Sequence, residues 1–452
     1  MGAQDNGPRD RTREQGLREP FIRAGLERIQ GTLPEVQPAR GYREDGEVIR
    51  MSRILVISQY FNPEPFRIND MCQEWVRRGH KVTVVTGIPN YPQGEFYKGY
   101  GWFKKRKETW NGVDVIRIPL LARAHGSIRL ALNYMSFVVS GFFWAHLTRI
   151  KADYVFTFEV SPMTQALLGV WFAKRRKIPN YLYVQDLWPE NVEIVTGIHS
   201  KAVLGPIDRM VNYIYKHCDA IFATSPSFVI DIQKRCPGQE SKVHYLPQYA
   251  EDFYKPCSTS LRGDAEATSS KPFTIAFTGN IGKAQGLEIL PKVAKLLKGK
   301  ANVNFTIVGD GRNKADLLKQ IDESGTMDMF TMIERQPAEK IPAILGECDA
   351  AFISFMNTPL FAKTIPAKLQ SYMACGKPIV ASACGETERV VREANCGVCA
   401  PIGDADALAK VILGLIGNPE LPRMGENAQA YYKKHFDKKT LMDGLEEYWR
   451  TK

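Results

Sequence analysis

The feature that most restricts this chain is an alternation that occurs twice: a short, nearly unbroken apolar run, a turn, a stretch with helical spacing, then another apolar run. RILVISQYF (53–61) is followed by NDMCQEWVRRGH (69–80), whose helical pattern stops at Gly79, and then by KVTVVTG (81–87). VDVIRIP, DYVFTF, NYLYVQD, AIFATS and KVHYLP continue the first series, with helices between several of them. The second series reads FTIAFTGN, ANVNFTIVGDG, AAFISF, KPIVAS and GVCAPIG. Apolar runs of this kind suit strands buried on both faces, and strands alternating with helices imply a doubly wound parallel sheet. Between the series lies CSTSLRGDAEATSSK (257–271), small, polar and without an aromatic residue, which reads as a linker. The expected fold class is therefore α/β, two Rossmann-like domains facing across a cleft. Ligands of such sheets bind outside the carboxyl ends of the strands, which places the site between the halves.

The chain is long enough at 452 residues for two such domains, and its net charge of +11 favours an anionic partner. Residues 1–50 stand apart: nine arginines and nine acidic residues but no lysine, and no apolar segment of the secretory type. They read as a disordered extension or as an upstream start, with Met51 opening the first domain. The division expected is 51–257 for the first domain, 258–271 for the linker, 272–430 for the second domain and 431–452 for a C-terminal helix returning toward the first. Nine scattered cysteines with a lone CxxC (Cys396, Cys399) read as small buried thiols in a reducing cytoplasm rather than as a metal site.

Three turns after strands of the second series converge on one place. FTGNIGKAQGLEIL (277–290) sets Gly279, Asn280, Gly282 and Gly286 around Lys283, between a strand and a helix. Glycines allow close approach of phosphate, helix amides orient toward it, and lysine adds a full charge; a plain structural turn is the competing reading. VGDGRNKADL (308–317) supplies Gly309 and Gly311. In KTIPAKLQSYMACGKPIVAS (363–382), Thr364 is expected to cap a short helix with Pro366 in its first turn, and Lys363 and Lys368 lie beside the open end. In the first series, YLYVQDLWPENV (181–192) offers Asp186 and Glu190 as a carboxylate pair facing the cleft, or as helix caps. Asp404 and Asp406 in DAD look like a metal-binding pair but precede ALAKVILGL and are read as capping it; no metal is assigned.

Several of these stretches, taken in order, carry a resemblance to a known family: YFNPEPFRIND, RRGHKVTVVTGIPNYPQGEFY, QDLWPE, ATSPSF, YLPQYAEDFY, FTGNIGKAQGLE, VGDG, PAKLQSYMACGKPIVAS and REANCGV. The second half resembles the donor domain of a family 4 glycosyltransferase of GT-B architecture. Residues 51–452 as a whole resemble the bacterial fucosamine-transferase-like branch that builds O-antigen and exopolysaccharide. The resemblance implies a retaining transfer from a UDP-linked donor, an N-acetylated amino sugar such as N-acetyl-L-fucosamine being one candidate, to a lipid-linked saccharide. The nucleotide-sugar would be a substrate, with no cofactor and no metal. Lys283 and Lys368 would neutralise the leaving diphosphate, Asp186 would orient rather than react, and Arg67, Asn90 and Tyr91 would lie on the acceptor side. Relatives carry two glutamates eight positions apart where this chain has Lys363 and Ser371, and a His-Asp pair where it has Gln185-Asp186. Glu386, in ACGETERV, is the expected stand-in. A sugar-nucleotide epimerase of the same architecture and a non-catalytic nucleotide-binding subunit are the alternatives; no nucleic-acid partner is expected.

Two basic stretches framed by aromatics, GWFKKRKETW (101–110) and VWFAKRRKIP (170–179), are expected to hold the first domain peripherally on the anionic inner face of the plasma membrane, or else to be solvated turns. Ala131 to Leu147 carries no charged residue but falls short of the ~20 residues of a bilayer span, so a core or interfacial helix is expected there.

Overall fold

The computed structural model describes residues 51–124, 126–257 and 271–451. The expectations for residues 1–50, and for all of 258–271 but Lys271, lie outside the described residues. The first sheet is built from β1 (Arg53–Ile57), β2 (Lys81–Thr86), β3 (Lys107–Trp110), β4 (Val113–Arg117), β5 (Tyr154–Glu159), β6 (Asn180–Val184), β7 (Ala220–Ala223) and β8 (Val243–Tyr245). Its order is β3-β4-β2-β1-β5-β6-β7-β8, parallel except for the edge strand β3. The second sheet comprises β9 (Phe273–Thr278), β10 (Val303–Val308), β11 (Phe330–Ile333), β12 (Ala350–Ser354), β13 (Ile379–Ser382) and β14 (Gly397–Ala400). It is wholly parallel in the order β11-β10-β9-β12-β13-β14. Each sheet reverses its winding direction once, between β1 and β5 and between β9 and β12, and crevices form at such switch points.

The apolar runs divide by parity, as a strand requires. Ile54, Val56 and Phe156 face the Arg67–Arg77 helix, whose Trp75 is fully buried, while Leu55, Ile57 and Val155 face Phe137 of the Ser127–Leu147 helix and Phe172 of the Ala166–Arg176 helix. In the second domain Phe277 and Phe305 pack with the Ile289–Leu297 helix; Ala276 and Val308 pack with Leu369, Tyr372 and Met373 of the Ala367–Ala374 helix.

Strands β3 and β11 are absent from the sequence reading. Both are four residues long with exposed or half-buried positions, so they lack the apolar run that marks a buried strand. The helix that holds the charge-free segment is longer than that segment, 21 residues from Ser127 to Leu147, and takes in Arg129. The chain's end forms two helices: Leu421–His435, packed on the Ala367–Ala374 helix, and Lys438–Thr451, which crosses to the first domain. There Met442 and Leu445 join the first core, and the Trp449 ring lies 4.5 Å from Tyr154 and 5.5 Å from Trp75. Arg78 anchors the crossing, its guanidinium 2.6 Å from Glu74 and from Asp443. A buried arginine with two carboxylate partners makes strong charge-assisted bonds that fix geometry as well as energy.

Candidate active site

The loops after β9 and β10 are laced together by their backbones. The Gly279 amide donates to the Val308 carbonyl at 2.8 Å, the Ile281 amide to Asp310 at 2.8 Å, and the Asn313 amide to Ile281 at 3.1 Å. Gly309 has φ +149°, and a Cβ there would lie 1.9 Å from the Gly279 oxygen; at Gly311 it would lie 2.3 Å from the Ile281 oxygen. Loop-to-loop contact alone therefore requires both glycines, independently of any ligand. The Gly282 amide is also taken, donating to the Gln285 side chain at 3.2 Å, which corrects the expectation that it is free for phosphate. Gln285 was missed in the sequence, although Gly-x-x-Gln carries the spacing of a capping box.

Lys368 stands at the carboxyl end of β9. The Ala367–Ala374 helix begins after Pro366, and its first turn carries amides with no intrahelical partner. Tyr372 of the same helix clamps it to the end of β9, its hydroxyl accepting the Thr278 amide at 2.9 Å. This holds the Lys368 ammonium 3.9 Å from the centre of the Phe277 ring, with Cε 3.2 Å from where a Cβ on Gly279 would lie. Burial pushes the ammonium down to about 7, and no carboxylate among the described residues offsets it. Gly279 and Asn280 are exposed beside it, and Lys283 is exposed in the short turn Lys283–Gln285.

Other residues assigned to the donor side point elsewhere. The Lys363 ammonium pairs at 2.5 Å with Asp231 of the first domain, and its carbonyl accepts from Ser225 Oγ at 2.6 Å. Thr364 does not cap the helix: its hydroxyl donates back to the Leu360 carbonyl at 3.0 Å, and its amide to Phe361. Ser371 donates to the Ala367 carbonyl within its own helix. Glu386 is no stand-in for the absent glutamates. Its Oε1 accepts from the Ser227 amide at 2.9 Å and hydroxyl at 2.6 Å, capping the Pro226–Lys234 helix of the first domain, while Oε2 bonds Arg389. With Leu360 packed into the first domain's second core, these contacts bridge the two halves. Asp404 caps the Ala405–Leu413 helix by accepting the Ala407 amide at 2.8 Å.

Across the crevice, Asp186 follows β6 and accepts the Ser161 amide at 2.8 Å. Beside it stands Glu159, the last residue of β5, fully buried and missed by the sequence reading. Burial first, and the Asp186 charge second, raise Glu159 well above the carboxylate range; burial raises Asp186 as well. The Asp186 charge thus favours the protonated form of Glu159, whose Oε2 accepts the Asp186 amide at 3.4 Å. The signal for Glu159 was a lone acid closing an otherwise apolar strand. Glu190 turns away, toward Arg235 at 3.3 Å, so it does not complete a carboxylate pair with Asp186.

On the acceptor side, Arg67 is spent on Glu251 at 2.5 Å. Asn90 is buried, its amide bonded to Glu64 and its side-chain oxygen accepting from Arg123 N at 3.0 Å; it shapes the loop rather than facing outward. Tyr91 is half-buried, 5.5 Å from the Tyr60 ring and beneath Arg123 at 5.3 Å. Glu64, unrecognised in the sequence, receives the Asn90 and Tyr91 amides at 2.9 and 2.7 Å, and burial pushes it up to about 7. A separate cavity of about 730 Å³ lies at the amino ends of β1 and β2, lined by Arg53, Ile54, Lys81 and Lys151, at the wrong end of the sheet for this chemistry.

Two family models match the two halves: the glycosyl transferase 4-like domain over residues 66–248 and glycosyl transferases group 1 over 264–431. The chain is a GT-B glycosyltransferase of family 4. This glycosyltransferase is 25% identical over 408 residues to WcaI of Escherichia coli K12, by name a colanic acid biosynthesis glycosyl transferase, spanning 86% of this chain and 98% of WcaI. Its fold is similar to that of sucrose-phosphate synthase from Thermosynechococcus elongatus, with a TM-score of 0.67 at 16% identity, over 88% of this chain and 98% of the other. It is also similar to Anabaena HepE in complex with UDP and glucose, with a TM-score of 0.64 at 16% identity, over 89% of this chain and 100% of HepE.

Proposed function

We propose that this glycosyltransferase is a retaining, metal-independent enzyme of cell-surface polysaccharide biosynthesis that moves a sugar from a UDP-linked donor to a hydroxyl of a lipid-linked saccharide. It works at the inner face of an anionic membrane, toward which the exposed cations of the first domain, among them Lys104 and Lys105, attract it. The observation that carries the reading is Lys368, half-buried at the open end of a helix beside an exposed glycine turn, its ammonium set against the Phe277 ring with no carboxylate partner. A partly desolvated cation of this kind is costly until an anion arrives, and a diphosphate between Lys368 and Lys283 is well matched to it. As the glycosidic bond breaks, charge develops on the diphosphate, and the two ammonium groups stabilise it. The acceptor approaches from the same face, so no protein nucleophile is demanded; Asp186, with Glu159 beside it, orients the acceptor hydroxyl. Support comes from the length-wide similarity to WcaI and from the UDP-bound neighbour HepE. The donor sugar, for which an N-acetylated amino sugar is a candidate, is read out by the same experiment. Purified protein is incubated with a panel of nucleotide-sugars and membrane lipid extract, and products are weighed by mass spectrometry. A glycosylated lipid is expected; epimerised nucleotide-sugar formed without acceptor would overturn the reading.

A further inference from the structure

The Ser127–Leu147 helix is buried along one side only. Phe137 and Ala145 enter the core, and Gly141 lies so close to Leu168 of the neighbouring helix that a Cβ would meet it at 2.5 Å. On the other side Ile128, Leu132, Met135, Val139, Phe142, Phe143 and Leu147 are all exposed, Ile128 by 78% and Phe143 by 58%. Their spacing of three and four residues makes one continuous stripe. Contiguous apolar surface of this extent on a water-soluble domain marks an interaction site.

The charge around the stripe selects the partner. Residues 115–152 contain no aspartate or glutamate. Arg149 and Lys151 are exposed just past the helix's end, and Arg175 and Arg176 of the adjoining helix donate to its last carbonyls, at 3.0 Å to Ala145 and 2.6 Å to Thr148. Arg129 is exposed at the other end. An apolar stripe rimmed by cations fits the headgroup and acyl boundary of an anionic bilayer. Length and composition would also allow a span, but Asn133 forbids it. Its side chain is buried in the domain, accepting from Gln59 at 2.8 Å and donating to the Leu121 carbonyl at 2.6 Å, so the helix cannot leave its neighbours.

The two basic segments contribute less than their sequences suggest. Trp110 is half-buried in β3, 5.5 Å from Phe61, and Phe172 is fully buried, so neither ring is free to reach headgroups. Phe103, 94% exposed, and Trp102, 46% exposed, are the exceptions. Trp102 donates to the Leu120 carbonyl at 3.0 Å, and the Leu121 amide bonds Ser136 of the helix, which chains this loop to the stripe.

We propose that the Ser127–Leu147 helix lies in the plane of an anionic membrane with this stripe inserted to the headgroup level. The opposite side of the helix carries Tyr134, which lies within the electrostatic reach of Arg123 and Asp186. A lipid-carried acceptor would thus enter beside the helix, next to Tyr91 and Asp186; this consequence rests on the acceptor reading above, whereas the insertion does not. The test is co-sedimentation of the full chain with phosphatidylcholine–phosphatidylglycerol vesicles, for wild type and for Val139→Glu/Phe143→Glu. The double variant should lose about tenfold or more in partitioning while keeping its melting temperature. Hydrogen exchange of vesicle-bound wild type, which needs no variant, should show new protection within 128–147. Unchanged partitioning of the double variant, or absence of that protection, overturns the proposal. So does a stable dimer in solution whose interface already protects the stripe, since a second copy would then be the occupant. Sugar transfer to a water-soluble acceptor analogue separates the two readings. If the helix governs vesicle binding but no sugar is transferred from any donor, the enzymatic reading fails and the insertion stands.

Discussion

Changing the pH from about 6 to about 9 should weaken the binding of a UDP-sugar about a hundredfold through Lys368 alone. The ligand-free ammonium titrates at about 7 because burial removes its hydration while Phe277 gives it only a ring face. If the diphosphate binds the protonated form, each pH unit above 7 lowers the competent fraction tenfold, about 1.4 kcal/mol per unit. The diphosphate of a UDP-sugar does not itself titrate in this window, so the slope reports the protein. The same shift sets the stability of the ligand-free enzyme. Between about 7 and the ordinary lysine value of 10.5 the unfolded chain holds a proton that the folded chain does not, so stability rises with pH across that window and is lost as pH falls through about 7. Lys368→Met should therefore flatten the pH dependence of binding, weaken binding at pH 6, and raise the melting temperature there, because it removes an uncompensated buried charge. Calorimetry in buffers of different ionisation heat should find proton uptake on binding at pH 8 in wild type and none in the variant. Identical pH profiles for the two proteins would refute the placement of the diphosphate against Lys368.

Lys283→Ala should lower turnover by about a hundredfold, equivalent to roughly 2–4 kcal/mol of transition-state stabilisation, with an unchanged melting curve, because the side chain is exposed in the free enzyme. Glu386→Ala should cost about 1–2 kcal/mol in denaturant unfolding, since it leaves the Ser227 amide in the first turn of the Pro226–Lys234 helix without its acceptor, Ser225 remaining the N-cap, and takes one partner from Arg389; a change in donor-sugar preference instead would return Glu386 to the sugar site. Glu64, raised to about 7 from 4.5, contributes stability that is complete below about pH 4.5 and is lost as pH rises through about 7. Glu64→Gln should flatten the melting temperature across that window. Chelation with EDTA should leave transfer unaffected, because Asp404 is engaged as a helix cap; restoration by manganese or magnesium after chelation would contradict this.

What the sequence determined by itself is local. Unbroken apolar runs between glycine turns specified the buried parallel strands, because a strand covered on both faces leaves no position where a polar side chain is welcome. Asp404 declared itself a cap because its partner is three residues away. Lys368, Lys283 and Asp186 were legible as residues that follow a strand end or open a helix, the places where such sheets bind ligands. The edge strands β3 and β11 were not, since their pairing is decided by an exposed partner rather than by their own composition. Lys363 and Glu386 look like donor-site residues in one dimension, yet the first domain claims both, through Asp231 and Ser227, which lie more than a hundred residues earlier. Glu159 meets Asp186 only because β5 and β6 are neighbours in the sheet. The value of about 7 for Lys368 comes from desolvation in the packed fold, where its ammonium lies against a ring 91 positions upstream. Charge and side-chain type are carried by the sequence, but burial and the identity of the nearest partner are properties of the packed fold. In this protein those two quantities separate Lys368, which has no carboxylate partner, from Lys363 and Glu386, which hold the domains together.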